Sequence, residues 1–325
     1  MGKDRDSLRT RYKAFRKKLL SLTPFIRRSR HERALARVNR YLQLERKANE
    51  TMGYLFFSPP SPAASARYTI RGVVRQVAVD ELCLFVTHAA SSQLKPHVID
   101  HIDALLEASV AVVLIANTDL DPSALEIPPE LLARLHGCVI RENIGYDFGA
   151  WAHGYTLIDP NRVSQRLYLI NDSIVGPLDS TTYRSLLERI RAAQVDFVGL
   201  TCNPDSHEHL QSYYLVFNER LLHSSMFDTF MRSVVNMPCK QNVVDCYEIW
   251  LTPFLQRQGF RGAAMFPNLA TDPPPRRNDT LYNWKELRSV GFPFIKSAVL
   301  AEPATAAEAR AMLPARYRKD DRASA

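Results

Sequence analysis

Short apolar runs alternate with stretches of helical periodicity through the middle of this chain, and that alternation leaves few architectures open. Runs at 82–87, 110–116 and 138–140 read as strands, and the patterns at 93–107 and 129–136 between them read as helices. This βαβαβ rhythm predicts a parallel sheet, because a strand that returns through a helix lies parallel to its predecessor. Further on, strands are expected at 166–170, 196–200 and 261–266, an alternating segment at 209–217, and helices at 181–192, 224–235 and 243–258. The expected class is α/β with a mixed, mostly parallel sheet and no internal repeat.

The longest apolar run, 110–116, is far short of the roughly 20 residues that cross a bilayer, and residues 1–10 are too charged for a secretory signal. A cytosolic protein is expected. Five cysteines, Cys83, Cys138, Cys202, Cys239 and Cys246, contain no CxxC pair and suit reduced thiols. The net charge of +8 is concentrated at one end: residues 1–50 hold 16 Lys plus Arg against 5 Asp plus Glu. Tyr12, Phe15, Leu19, Leu22 and Ile26 follow a helical period within this arm, with Pro24 interrupting it. A basic amphipathic helix of this kind lies on an anionic membrane surface, here the inner membrane, or packs on the body. Nucleic acid is not an expected partner, since no zinc finger, helix-turn-helix or aromatic RNA-binding signature accompanies the charge. A second helical pattern at 31–48 and a Pro- and Ala-rich linker at 58–66 complete an appendage over 1–66. The main domain is expected at 67–300 and a tail at 301–325.

In open α/β sheets ligands bind beyond the carboxyl ends of the strands, so polar residues directly after apolar runs are the first site candidates. They are Thr87 and His88, Asn117, and the triplet Asn171, Asp172 and Ser173. A strand-end Asp can hold a divalent cation that bridges two phosphates, or it can cap the turn that Gly176-Pro177 signals. The segment 141–151 begins as a loop and then enters a helix with Asp147 near its N-cap, where negative charge on a ligand is welcome.

These two motifs resemble the GT-A fold glycosyltransferases, and the longer pattern resembles the rhamnan synthesis protein F family of polysaccharide rhamnosyltransferases. The resemblance rests on Arg141, Asn143, Gly145, Tyr146, Asp147, Phe148, Gly149 and Trp151, then on LINDSIVGPL at 169–178. It continues through DFVGLT at 196–201, HLQSYYLVF at 209–217, YEIWLTPFLQRQGF at 247–260 and GFPFIK at 291–296. It implies a GT-A-like, Rossmann-type nucleotide-sugar-binding fold, a donor such as dTDP-L-rhamnose, and a growing glycan, often lipid-linked, as acceptor. By analogy Asn171, Asp172 and Ser173 occupy the place of the metal motif, while Arg141, Asn143, Gly145 and Asp147 line the nucleotide side. The usual motif has two carboxylates and this one has one, so Mg²⁺ or Mn²⁺ would rest on Asp172 alone.

Transfer to a hydroxyl needs a group that accepts its proton. Glu248 is the first candidate, expected to open a helix that stops at Gly259-Phe260, as in many inverting GT-A enzymes; Asp245 and His209 compete with it. A carboxylate favoured by a helix dipole would look the same. His209 and Gln211 would share one face of a strand and, with Ser212, meet acceptor hydroxyls, although a core histidine has the same signature. Lys296 is placed to neutralise a leaving diphosphate or is a surface charge. A noncatalytic nucleotide-sugar or glycan-binding partner of a polysaccharide synthase is the alternative function.

Overall fold

The computed structural model describes residues 61–204, 208–266, 268–269 and 278–317. Contacts divide the chain into units 1–59 and 60–325, and the fold described is that of the second. The helices expected before residue 50 lie outside the described residues.

Eight strands form one mixed sheet: β1 (Tyr68–Ile70), β2 (Val79–His88), β3 (Ala111–Thr118), β4 (Gly137–Glu142), β5 (Val163–Asn171), β6 (Phe197–Gly199), β7 (Tyr214–Asn218) and β8 (Gly262–Ala264). Their order is β8-β6-β7-β5-β2-β3-β4-β1. The central run β5-β2-β3-β4 is parallel throughout, and β8 is parallel to β6. β7 and β1 run antiparallel to their neighbours. The α/β class and mostly parallel sheet expected from the alternation are therefore present; the central strands run up to three residues past their expected bounds, while those expected at 196–200 and 261–266 are shorter, Phe197–Gly199 and Gly262–Ala264.

The parallel strands are continuous apolar runs because both faces are covered. Cys83, Phe85, Val112 and Leu114 meet α1 (Pro96–Glu107) through Val98, Ile102 and Leu105. Leu82, Leu84, Val113 and Ile115 on the other face meet α3 (Tyr146–Leu157) through Phe148, Trp151 and Tyr155. Helix α2 (Pro129–Arg134) links β3 to β4, and α4 (Ser180–Ala192) follows β5. Helix α1 starts at Pro96 rather than the expected 93, because proline suits the first helical position and holds Lys95 before it in an extended conformation. Trp151 donates its indole N–H toward the carbonyls of Leu84 (3.1 Å) and Ile170 (3.3 Å), anchoring α3 across the β2–β5 seam.

Three expectations change. The segment 209–217 is not one strand: His209–Leu210 pairs with Cys202–Asn203, residues 211–213 turn, and only Tyr214–Asn218 enters the main sheet. The helix expected at 243–258 is interrupted, since a single π turn, Val244–Glu248, joins the short helix Lys240–Val243 to α6 (Ile249–Arg257), with α5 (Ser225–Ser233) before them. Pro253 within α6 has no N–H to give the carbonyl of Ile249 and its ring crowds that carbonyl, directly after the widened turn. Residues 61–66 belong to the body, as Ser61–Pro62 pairs with Val235–Asn236. At the other end Val299, Ala309, Leu313 and Tyr317 pack with Val175, Trp284 and Ile295. Among the described residues no helix is long and apolar enough to cross a membrane.

Leu84 is fully buried at the centre of the sheet. Leu84→Ala is expected to lower the unfolding free energy by about 2–5 kcal/mol, read from urea denaturation followed by far-UV circular dichroism.

Candidate functional site

Because β5, β2, β3 and β4 run in one direction, their carboxyl ends fall along one edge. Register pairs Asn171 with Val86, His88 with Asn117, and Asn117 with Arg141, so the polar residues that end each strand stand side by side. Asp172 does not cap the following turn. Its Oδ2 accepts hydrogen bonds from Thr87 Oγ1 (2.6 Å) and the His88 backbone N–H (3.2 Å) and ion-pairs with Lys95 Nζ at 2.6 Å. The carboxylate thus ties the end of β5 to the end of β2.

Asn171 organises the next shell of contacts. Its Nδ2 donates to Asp147 Oδ2 (2.7 Å), and its Oδ1 accepts from the Ser173 backbone N–H (3.0 Å) and Oγ (2.6 Å). Lys296 Nζ donates to Ser173 Oγ (3.0 Å) and lies 4.2 Å from the centre of the Tyr213 ring. Lys296 is delivered there by a short ladder in which Ile295–Lys296 pairs with Ile174–Val175. Burial lowers its pKa to about 8 against the opposing pull of Glu248, with Lys240 adding repulsion.

Asp147 sits in the first turn of α3, two residues further in than the N-cap, because Gly145 takes that position. Gly145 has φ +75°, and a Cβ there would stand 2.2 Å from Asn236 Oδ1, so no larger residue fits. Tyr146 follows with φ 53°, a conformation that is strained for a non-glycine and held by its surroundings. Burial raises Asp147 to about 6, Asp172 raises it further, and Lys240 and Lys296 oppose that rise.

Arg141, expected on the nucleotide side, is buried beneath the loop and lines the cleft beside it. Its guanidinium donates to Asn236 Oδ1 (2.6 Å), His153 Nδ1 (3.1 Å), Asn117 Oδ1 (3.2 Å) and the Ile144 carbonyl (2.6 Å). Asn117 is likewise buried and used in this way. These bonds fix the 142–146 loop from beneath. Asn143, by contrast, is exposed and bridges Asp119 Oδ2 (2.8 Å) and His88 Nε2 (3.4 Å). Beside it a cleft of about 540 Å³ opens toward β1, lined by Thr118, Asp119, Glu142, Arg67 and Tyr68.

Glu248 ends the π turn and points to the same region. Its Oε2 accepts from the Ser212 hydroxyl and, at 3.4 Å, from the Ser212 backbone N–H, while buried His209 Nε2 lies 3.8 Å from Oε1. Burial pushes Glu248 up, but nearby His209, the hydrogen bonds from Ser212 and the charge of Lys296 outweigh it and hold the carboxyl below its ordinary value. Gln211 turns away: it is buried, and its Oε1 accepts from Thr201 Oγ1 at 2.7 Å. Strand alternation therefore does not place it with His209, because residues 211–213 form a turn. Asp245 is exposed and accepts from Gln241 Nε2 at 2.7 Å, one turn back on its own helix.

The edge thus gathers Asp147, Asp172, Ser173, Glu248, Ser212, His209 and Lys296 from segments more than a hundred residues apart. Lys95, Lys240, Tyr213 and Asn236 were not expected there. Lys95 had a usable signal, lying in the loop after a strand and just before a helix-opening proline. Lys240 had none.

The raised Asp147 pKa has a definite sign. The native state holds this proton more tightly than the unfolded chain, whose carboxyl titrates near 3.8, so stability falls as pH rises from about 4 to about 6. Asp147→Asn is expected to remove that slope, measured as the change in urea midpoint between pH 4 and pH 7.

The model of the family described as rhamnan synthesis protein F matches residues 112–321. An uncharacterized protein y4gN of Sinorhizobium fredii is 30% identical over 172 residues, 51% of this chain and 43% of that protein. The virulence protein VirA of Vibrio anguillarum is 28% identical over 196 residues, 51% of this chain and 62% of that protein. The matched region spans about half the length of these relatives. With most of the body, from β3 through the C-terminal helices, inside the match, the chain belongs to the rhamnan synthesis protein F family.

Proposed function

We propose that the chain is an inverting glycosyltransferase on a GT-A-like scaffold, acting in the polysaccharide synthesis that its family's description denotes. The donor is a nucleotide sugar such as dTDP-L-rhamnose, and the acceptor is a growing cell-surface polysaccharide or a lipid-linked glycan. The observation that carries this reading is the convergence, at one sheet edge, of a buried lysine and an ionised glutamate: Lys296 on Ser173, and Glu248 on Ser212.

In the proposed step an acceptor hydroxyl oxygen bonds to the anomeric carbon from the face opposite the diphosphate. The bond between that carbon and the diphosphate oxygen breaks, its electron pair leaves with the oxygen, and the hydroxyl proton passes to Glu248. The low pKa of Glu248 keeps it ionised and ready to receive that proton, and Ser212 and His209 fix its orientation. Lys296 faces the leaving diphosphate, and an ammonium with depressed hydration gains most from an arriving anion. Thr87, His88, Asn143 and Asp147 border the donor, with the neighbouring cleft as the space for its nucleoside.

The donor set around Asp172 does not fit a divalent cation. The Asp172 Oδ2 already carries Lys95, Thr87 and the His88 N–H. Among the described residues no group of three or more His, Cys, Asp and Glu side chains is arranged to hold a metal. A dication about 4 Å from the Lys95 ammonium would meet a repulsion of about 4 kcal/mol per unit charge at an effective dielectric constant of about 20.

Glu248→Gln is expected to lower sugar transfer by at least about a hundredfold while nucleotide-sugar binding persists, read by nucleoside diphosphate release and by calorimetry. Unchanged transfer would remove Glu248 from the step, and tight binding without any turnover in the unmodified protein would favour a noncatalytic binding partner. The basic segment 1–50 is the proposed contact with the anionic inner membrane. The full chain is expected to co-sediment with anionic vesicles and the chain lacking residues 1–50 is not; equal binding by both would overturn that contact.

A further inference from the structure

The site is rich in ammonium groups where carboxylates would be needed for a metal. Lys95 covers Asp172, Lys296 rests on a hydroxyl and an aromatic ring, and Lys240 opens a short helix that packs against α3, the helix carrying Asp147. Three carboxylates, Asp147, Asp172 and Glu248, face these three lysines. Lys296 makes its one hydrogen bond among the described residues to Ser173 Oγ, which leaves ammonium donors for a ligand. The Lys240 side chain is exposed and makes no hydrogen bond or ion pair with another described residue, while its backbone carbonyl accepts from the Val244 N–H within its own helix. It sits at the start of the short helix Lys240–Val243, ahead of the π turn that carries Glu248.

We propose that Lys240 and Lys296, with Lys95 holding Asp172, provide the charge that binds the donor's diphosphate, so that donor binding proceeds without a divalent cation. This rests on the glycosyl-transfer reading above. When the anomeric bond breaks, its electron pair stays on the diphosphate oxygen, so the leaving group gains one unit of negative charge. Lysines already in place meet that charge without reorganisation. Lys240 is a new diphosphate-binding residue in this arrangement, with its exposed side chain on a helix packed against α3.

The test is calorimetry of dTDP, UDP and GDP with the full chain, in excess EDTA and again in millimolar Mg²⁺ or Mn²⁺. At least one diphosphate is expected to bind in EDTA, with affinity unchanged by either metal. Lys240→Met is expected to weaken that binding roughly tenfold, and Lys240→Arg to retain it, with melting temperatures of both variants unchanged. Binding that appears only with metal would overturn the lysine proposal and leave the glycosyl-transfer reading intact. Wild-type affinity in Lys240→Met would remove Lys240 from the site. Failure of all three nucleotides in both conditions would overturn the glycosyl-transfer reading, and the lysine proposal with it.

Discussion

Strand β2 is the member on which the fold depends. It pairs in parallel with β3 on one side and β5 on the other, and its side chains feed both apolar layers in turn, Leu82, Leu84 and Val86 to one and Cys83 and Phe85 to the other. Two buried faces and two ladders leave it no freedom of register, since a shift by one residue would exchange the layers. Its last two residues, Thr87 and His88, are thereby delivered to Asp172 at the end of β5. The packing of the sheet and the geometry of the site are the same constraint.

A second constraint is the buried guanidinium of Arg141. Burial lowers its pKa only to about 10, so it remains charged, and its hydrogen bonds go to amides, an imidazole and carbonyls. A buried charge must be fully hydrogen-bonded to be tolerated, and Asn117, His153, Asn236 and the Ile144 carbonyl meet that demand together. They also hold the left-handed turn at Gly145 and Tyr146 that sets Asp147 on the first turn of α3. The loop's strain is thus supported from β3, from α3 itself and from the distant Asn236.

Electrostatically the edge differs from a carboxylate cage. Burial drives Asp147 up to about 6 and Lys296 down to about 8, so both groups change charge close to neutral pH. Glu248 is lowered, because the hydrogen bonds from Ser212, with His209 and the charge of Lys296 nearby, outweigh its burial. Burial thus favours the neutral forms of Asp147 and Lys296 while its neighbours keep Glu248 charged, a contrast of the kind found in sites that handle charge.

The sequence by itself determined the βαβ alternation, the parallel centre of the sheet and the strand ends at Thr87, Asn117 and Asn171, because each depends on periodicity or chain order within a short window. Short-range signals also marked Asp147 and the Asn171–Ser173 triplet. Only the tertiary structure decided what those groups touch. Gln211 read as ligand-facing from its place in an alternating segment, yet it is bound to Thr201, because a break at 211–213 is not encoded in alternation alone, and Arg141 lies buried under a loop while lining the cleft beside it. Lys240 entered the site through long-range packing that no local pattern records, whereas Lys95 was marked by its place after a strand and before a helix-opening proline. Glu248 owes its position to a π turn before Pro253, where a helical period would have aimed it elsewhere.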